Sequence, residues 1–173
     1  YTTSDARAKL ASDICFFSVD NEPGFSQLFE AIKNRGHDRF ALFAPKVNAV
    51  GPRYNYYLES ERYGVALEEI ITYDSSYEYL SMCHEARRAA LAGIERLRKH
   101  KLLMCLNDQS ALGLCDALEQ SGLALGKDIS VIGYDNIEEN IHFNREKPIL
   151  STIAVDDLTV GERIAETLFA WIE

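Results

Sequence analysis

The feature that most constrains this chain is a short apolar run that stops at two polar residues and resumes at once with helical spacing. It spans Lys101 to Gly122. Leu102 to Leu106 is too short for a helix and reads as a strand covered on both faces. The run ends at Asn107-Asp108, after which Leu112, Cys115 and Leu118 fall on one helical face. Asp108 is expected to cap that helix, since its carboxylate accepts the unpaired amide hydrogens of a first turn. Gly122 stands where a left-handed residue closes a helix. The unit is strand, polar corner, helix, and in a parallel sheet such corners lie at the carboxyl edge, where ligands bind. Asn107 and Gln109 offer amide donors and acceptors there. The same two corner residues also turn the chain and cap the helix, and on this stretch alone capping is the simpler account.

The unit recurs along the chain. Asp13–Val19 is a predicted strand ending at Asp20-Asn21, and Gly24 opens a helix with Phe25, Leu28, Phe29 and Ile32 inward. Arg39–Ala44 is the next strand, closed by Pro45. Residues 46–57 read as a loop, Leu58–Glu69 as a helix and Ile70–Tyr73 as a short strand ending at Asp74. Ser75 with Glu78 forms an expected capping box for a long helix with Cys83, Ala86, Ala90, Ile94 and Leu97 inward. Ile129–Gly133 is a strand that ends at Tyr134-Asp135-Asn136, residues 137–148 read as loop, and Ile149–Ile153 is the last strand. Asp156 or Asp157 caps a final helix with Leu158, Gly161, Ala165, Leu168 and Ile172 inward. Strands and helices in alternation with short connections define an α/β fold, a doubly wound parallel sheet with helices on both faces. Asp20, Asp74, Asn107 and Asp135 then line one edge. Carboxylates and amides gathered there suit a ligand rich in hydroxyl groups. Asp74, directly before Ser75, is the one most simply read as a cap.

Composition narrows the function classes. The 173 residues suit one domain or two small lobes, and the net charge is −9. A nucleic-acid binder usually carries a basic stripe. Here the only dense basic cluster, Arg96 to Lys101, reads as the solvated end of a helix. Cys15, Cys83, Cys105 and Cys115 lack metal-ligand or CxxC spacing. Unpaired cysteines of this kind suit a reducing cytoplasm. No histidine pairs with a ligand partner, so no metal is expected. No phosphate-binding glycine loop and no nucleophile motif follows any strand, so neither a cofactor nor an enzyme is expected. No apolar run is long enough for a membrane span, and Tyr1–Arg7 is not an apolar leader.

Several of these stretches resemble the LacI/GalR family of transcriptional regulators. Asn107-Asp108-Gln109-Ser-Ala-Leu-Gly113 with Ala117-Leu118 and Gly122 does so, as does Asp128-Ile-Ser-Val-Ile-Gly-Tyr-Asp135-Asn136. Leu150-Ser-Thr-Ile153 followed by Gly161 and Ala165, Asp20-Asn21-Glu-Pro-Gly24 and Arg35–Phe43 fit the same pattern, in family order and spacing. The resemblance implies a periplasmic-binding-protein-like (type I) effector domain, in which two Rossmann-like lobes are joined by three crossings and a sugar or nucleoside lies in the cleft. It implies residues 1–19 as the tail of the N-terminal lobe, 20–150 as the C-terminal lobe, and 151–173 as a crossing and helix returning to the first lobe. The chain then reads as truncated, without its helix-turn-helix head and closing strands.

Carried over residue by residue, Asn107 and Gln109 match ligand-contacting positions, and Asp135 matches the carboxylate that holds sugar hydroxyls. Asp20 is included through its place at a strand end. The family often has an arginine three residues before a helix glycine. Before Gly64 that position is Glu61, and a one-residue shift makes Arg62 the candidate. The resemblance also implies operator DNA as a partner, only through a domain absent from this chain, and a side-by-side homodimer. The expected function is a cytoplasmic sensor of a small-molecule effector, most simply a sugar. The rival readings are a sugar-binding protein of a transport system, which shares the fold, and an enzyme on a flavodoxin-like sheet.

Overall fold

Every second residue of the central strands faces one helical layer and the residue between faces the other, which is why their sequences are apolar throughout. In the computed structural model, residues 19–46, 51–76, 78, 81–137 and 149–172 are described. The chain divides into a larger unit, Gly24–Val155, and a smaller one, Tyr1–Pro23 with Asp156–Glu173.

The larger unit holds helix α1 (Glu22–Asn34) from Gly24 on, strand β1 (Arg39–Pro45), helix α2 (Pro52–Leu58), a 3-10 turn at Ser60–Tyr63, and strand β2 (Ala66–Tyr73). It continues with α3 (Met82–Ala92), α4 (Ile94–Leu97), β3 (Leu102–Cys105), α5 (Asp108–Gln120), β4 (Ser130–Asp135) and β5 (Ser151–Ala154). The sheet is five-stranded, in the order β2-β1-β3-β4-β5, and all its pairs are parallel. Phe40, Leu42 and Ala44 of β1, with Leu102 and Met104 of β3, pack under Phe25, Phe29 and Ile32 of α1 and Tyr56 and Tyr57 of α2. Ala41, Phe43, Leu103 and Cys105 face the opposite layer, with Ala86 and Ala90 of α3 and Ala111, Leu114 and Leu118 of α5. This is the doubly wound arrangement expected.

Two glycines are required by geometry. A Cβ on Gly113 would collide with the backbone carbonyl of Cys83, so α5 and α3 cross in direct backbone contact. Gly122 has φ +80°, and Gly122 N–H donates to Glu119 O while Leu123 N–H donates to Leu118 O, which completes a Schellman close for α5.

Several local expectations are corrected. Leu58–Glu69 is not a helix: the 3-10 turn ends at left-handed Gly64, φ +77°, and β2 begins at Ala66. Its pairing with β1 outweighs the helical preference of Ala-Leu-Glu-Glu. Glu68 is the extra residue of a bulge, because Phe40 pairs with Leu67 and Ala41 with Glu69. Part of the expected 46–57 loop is α2, which starts behind Gly51 with proline in its first turn. The capping box gives way to a different contact, in which Ser75 and Ser76 both bond the Glu85 carboxylate. This holds the Glu85 carboxyl below the usual range. Gly93 separates α3 from α4. The expected strand at 13–18, the thiol of Cys15, and residues 47–50 and 138–148 of the two expected loops lie outside the described residues.

The smaller unit contributes helix α6 (Asp157–Ile172). Asp156 caps it, accepting from Thr159 N at 3.0 Å. Leu158 and Leu168 were expected inward but are 75% and 44% exposed. Among the described residues, no helix is long and apolar enough to cross a membrane.

Candidate functional site at the carboxyl edge

Parallel pairing brings the ends of β1, β2, β3 and β4 to one edge, and three chain corners there supply polar groups. The β4 corner is the most unusual. Asp135 has φ +106° and Asn136 has φ +55°, the only described non-glycine residues in the left-handed region. A backbone held in such a region costs of order 1–3 kcal/mol and persists where surrounding contacts fix it.

Arg53, in the first turn of α2, reaches over this corner. Its Nη2 lies 2.8 Å from Asp135 Oδ1, with the two side chains 38% and 30% exposed. Its Nη1 donates to Leu106 O at 3.3 Å, and the guanidinium carbon sits 3.8 Å from the centre of the Tyr134 ring. Tyr134 in turn packs against Phe25, which stacks on Tyr56 at 4.6 Å. An arginine that is stacked, hydrogen-bonded and ion-paired loses most of its side-chain freedom, and the partly exposed pair keeps polar atoms open to solvent.

The β3 corner is built differently from expectation. Asn107, not Asp108, is the N-cap of α5: its Oδ1 accepts from Ser110 N at 2.8 Å. Its Nδ2 donates to the Met82 sulfur at 3.2 Å. Gln109 follows on the first turn and is 7% exposed.

Asp108 is fully buried. Its Oδ1 accepts from Thr152 Oγ1 at 2.7 Å and its Oδ2 from Ile137 N at 2.9 Å. Burial pushes this carboxyl up to about 6, although the hydrogen bonds from Thr152 and Ile137 pull the other way. The carboxylate lies close against Gly133, where a Cβ would collide with it. Below the site, Tyr57 OH donates to Cys105 O at 3.0 Å, and Tyr73 and Ser110 share a hydroxyl hydrogen bond of 2.7 Å.

Asn107, Gln109 and Asp135 therefore belong to adjacent strand ends. Arg62 does not join them: it precedes the amino end of β2, where its guanidinium lies over Tyr63 and pairs with Glu59. Asp20 falls in the smaller unit, where it accepts from Glu22 N at 3.0 Å. Asp74 is largely exposed and pairs with Lys46 at 2.8 Å. Sequence reasoning missed Arg53, Tyr134 and Thr152. Gly51-Pro52 was the available signal for Arg53, because that pair starts a helix and puts the next residue in its first turn. Among the described residues, no group of three His, Cys, Asp or Glu side chains is placed to hold a metal ion.

A doubly wound parallel sheet with an arginine-carboxylate pair at its carboxyl edge is the architecture of a Rossmann-like α/β lobe. The periplasmic binding protein-like domain matches residues 29–173. The chain belongs to that family, as an effector-binding domain of the LacI/GalR regulators. It is similar to the HTH-type transcriptional repressor PurR of Vibrio atlanticus (strain LGP32), 30% identical over 159 residues, which are 90% of this chain and 46% of the relative. PurR of Aliivibrio fischeri (strain ATCC 700601 / ES114) is 40% identical over 93 residues, 53% of this chain and 27% of that protein. The chain thus spans less than half the length of these relatives. Among solved structures, a regulatory protein of the LacI family from Chloroflexus aggregans aligns with TM-score 0.70 at 24% identity, covering 94% of this chain and 58% of that one. A LacI family transcriptional regulator from Enterococcus faecium with bound ribose aligns with TM-score 0.65 at 25% identity, covering 88% and 55%.

Proposed function

We propose that the carboxyl edge of the larger unit is the effector-binding face of a LacI-type transcriptional regulator. Arg53 and Asp135 are the central pair, Asn107 and Gln109 lie alongside, and the effector is a small neutral molecule rich in hydroxyl groups, a sugar or a nucleoside. The observation that carries this reading is the Arg53–Asp135 pair itself, stacked on Tyr134 and held on a left-handed backbone at a strand end. Its two charges offset each other, which disfavours a strongly anionic ligand. An arginine N–H beside a carboxylate oxygen sets a donor next to an acceptor, the pattern that vicinal hydroxyls match. The ribose held by the Enterococcus faecium regulator belongs to this class of ligand.

In this reading residues 20–150 are the C-terminal lobe, and 1–19 with 151–173 belong with the other lobe. The regulator works as a cytoplasmic homodimer and contacts operator DNA through a different domain. The matched relatives are repressors, which favours this reading over a transport protein. Asp20 and Arg62 have no part in the proposed pair.

The test is a thermal-shift screen of pentoses, hexoses, disaccharides and nucleosides, followed by calorimetry on the compounds that raise the melting temperature. Binding by wild type and its loss in Arg53→Met supports the reading. Equal binding by wild type and Arg53→Met contradicts it.

A further inference from the structure

We propose that Asp108 is a positioning residue: it clamps the chain on both sides of Asp135, holds that carboxylate in place for Arg53, and relaxes its hold when it takes up a proton. The interest of the clamp rests on the reading of Arg53–Asp135 as the ligand-facing pair.

The geometry is that of a grip. Before Asp135, the Asp108 carboxylate lies in the space left by the missing side chain of Gly133. After it, Oδ2 accepts from Ile137 N at 2.9 Å. Across the sheet, Oδ1 accepts from Thr152 Oγ1 at 2.7 Å, and the same hydroxyl accepts from Asn136 N at 3.3 Å. Residues 136 and 137 are thus hydrogen-bonded to one buried carboxylate, directly or through Thr152, and Gly133 packs against it, while Asp135 and Asn136 keep left-handed backbones. Nothing on the Asp135 side chain is needed for these ties, so the clamp and the ligand-facing pair are separable.

A carboxylate is suited to this task only when ionised. Both of its oxygens then accept. A proton on Oδ2 displaces Ile137 N–H, and a proton on Oδ1 reverses the bond to Thr152, whose own hydroxyl proton then loses this acceptor. The charged or titratable groups around it are Asp135 at the end of β4, which opposes its ionisation, and the buried Cys105 thiol at the end of β3. Arg53 from α2 stands beyond, on Asp135. Burial and the neighbouring carboxylate favour the neutral form and the donors favour the ionised one. The balance puts the change of state at about 6, above the usual carboxylate range.

The experiment needs no ligand. Amide exchange at Ile137, corrected for the intrinsic pH dependence, and the guanidinium NMR signals of Arg53 are followed from pH 5 to 8 in the full chain. Wild type, Asp108→Asn and Thr152→Ser are compared. Loss of a hydrogen bond to a charged acceptor corresponds to about tenfold in protection or more. The expected result is that wild type and Thr152→Ser lose about that much at Ile137 on acidification, with the Arg53 signals shifting over the same range, and that Asp108→Asn shows neither change. If Asp108→Asn does not fold, Asp135→Asn serves instead: an Ile137 transition that persists there assigns the proton to Asp108, and its loss overturns the proposal. A flat wild-type profile overturns the proposal. So does an Arg53 transition that survives in folded Asp108→Asn, which would assign the titration to Asp135 itself. A clamp that titrates in a protein whose Arg53→Met variant keeps full effector affinity leaves the clamp standing and removes the site reading, so the two failures are distinct.

Discussion

Asp135 is the side chain on which the proposed chemistry turns, and its backbone narrows what can replace it. Asparagine tolerates positive φ better than most residues, so Asp135→Asn keeps the corner and removes the charge that pairs with Arg53. Hydrogen bonds to a charged group contribute roughly 1.5–3 kcal/mol each, so this variant is expected to weaken effector binding about tenfold to a hundredfold with little change in melting temperature. Calorimetry beside a melting curve checks both halves. Asp108 makes a second prediction, about stability. Its carboxyl is raised from 3.8 to about 6 in the folded chain. Between these values the folded protein holds a proton that the unfolded chain has lost. The contribution of Asp108 to stability is therefore greatest below about pH 4, declines as pH rises to about 6, and is level above. The span is on the order of 2–3 kcal/mol. Exposed carboxyls held low by their partners, Asp38 by Arg39, Glu69 by Arg96 and His100, and Asp156 by Thr159, slope the other way in more acid solution. The difference between urea midpoints of wild type and Asp108→Asn isolates the buried group. It should change sharply between pH 4 and 6, and a pH-independent difference contradicts the assignment.

At the level of elements, the parts that were legible in sequence are those whose two faces both meet core. β1, β3 and β4 read directly as apolar runs, and α1 and α5 as helical stripes, because burial on both sides of the sheet leaves little freedom of composition. The errors lie where a tertiary partner decides. β2 is an edge strand, and Glu68 and Glu69 both reach His100 there, at 3.2 and 2.8 Å. Its Ala-Leu-Glu-Glu stretch carries a helical composition that only pairing with β1 overrules. α2 reads as loop in sequence because its inner face is tyrosine, Tyr56 and Tyr57, and not aliphatic. Losing α2 meant losing Arg53, so an error at the element scale became an error at the site. Gly113 gives the prediction at this scale. A single methyl group there strikes the Cys83 carbonyl, and α3 and α5 must separate to admit it. Gly113→Ala gains helix propensity of about 1 kcal/mol and still should destabilise by roughly 1–3 kcal/mol. A chemical-denaturation curve showing Gly113→Ala at least as stable as wild type would contradict the close crossing.

For the whole molecule, the order of the motifs is enough to indicate the family, because it rests on strand-end corners such as Asn107-Asp108-Gln109 and Tyr134-Asp135-Asn136. What sequence spacing did not convey was which side chains the edge brings together. That depends on the path of the chain between strands, so Arg62 at the amino end of β2 was proposed in place of Arg53 at the carboxyl edge. Residues 1–173 carry net charge −9 and should not form a sequence-specific complex with DNA. Gel shifts at low salt, where phosphate contacts are strongest, test this. The central claim is that the effector sits on the Arg53–Asp135 pair. It is tested most directly by a crystal structure of the protein with the compound that gives the largest thermal shift. The account predicts hydroxyl groups of that compound within hydrogen-bonding distance of the Arg53 guanidinium and the Asp135 carboxylate. A compound seated elsewhere on the lobe, with Arg53 and Asp135 still paired only to each other, would contradict it.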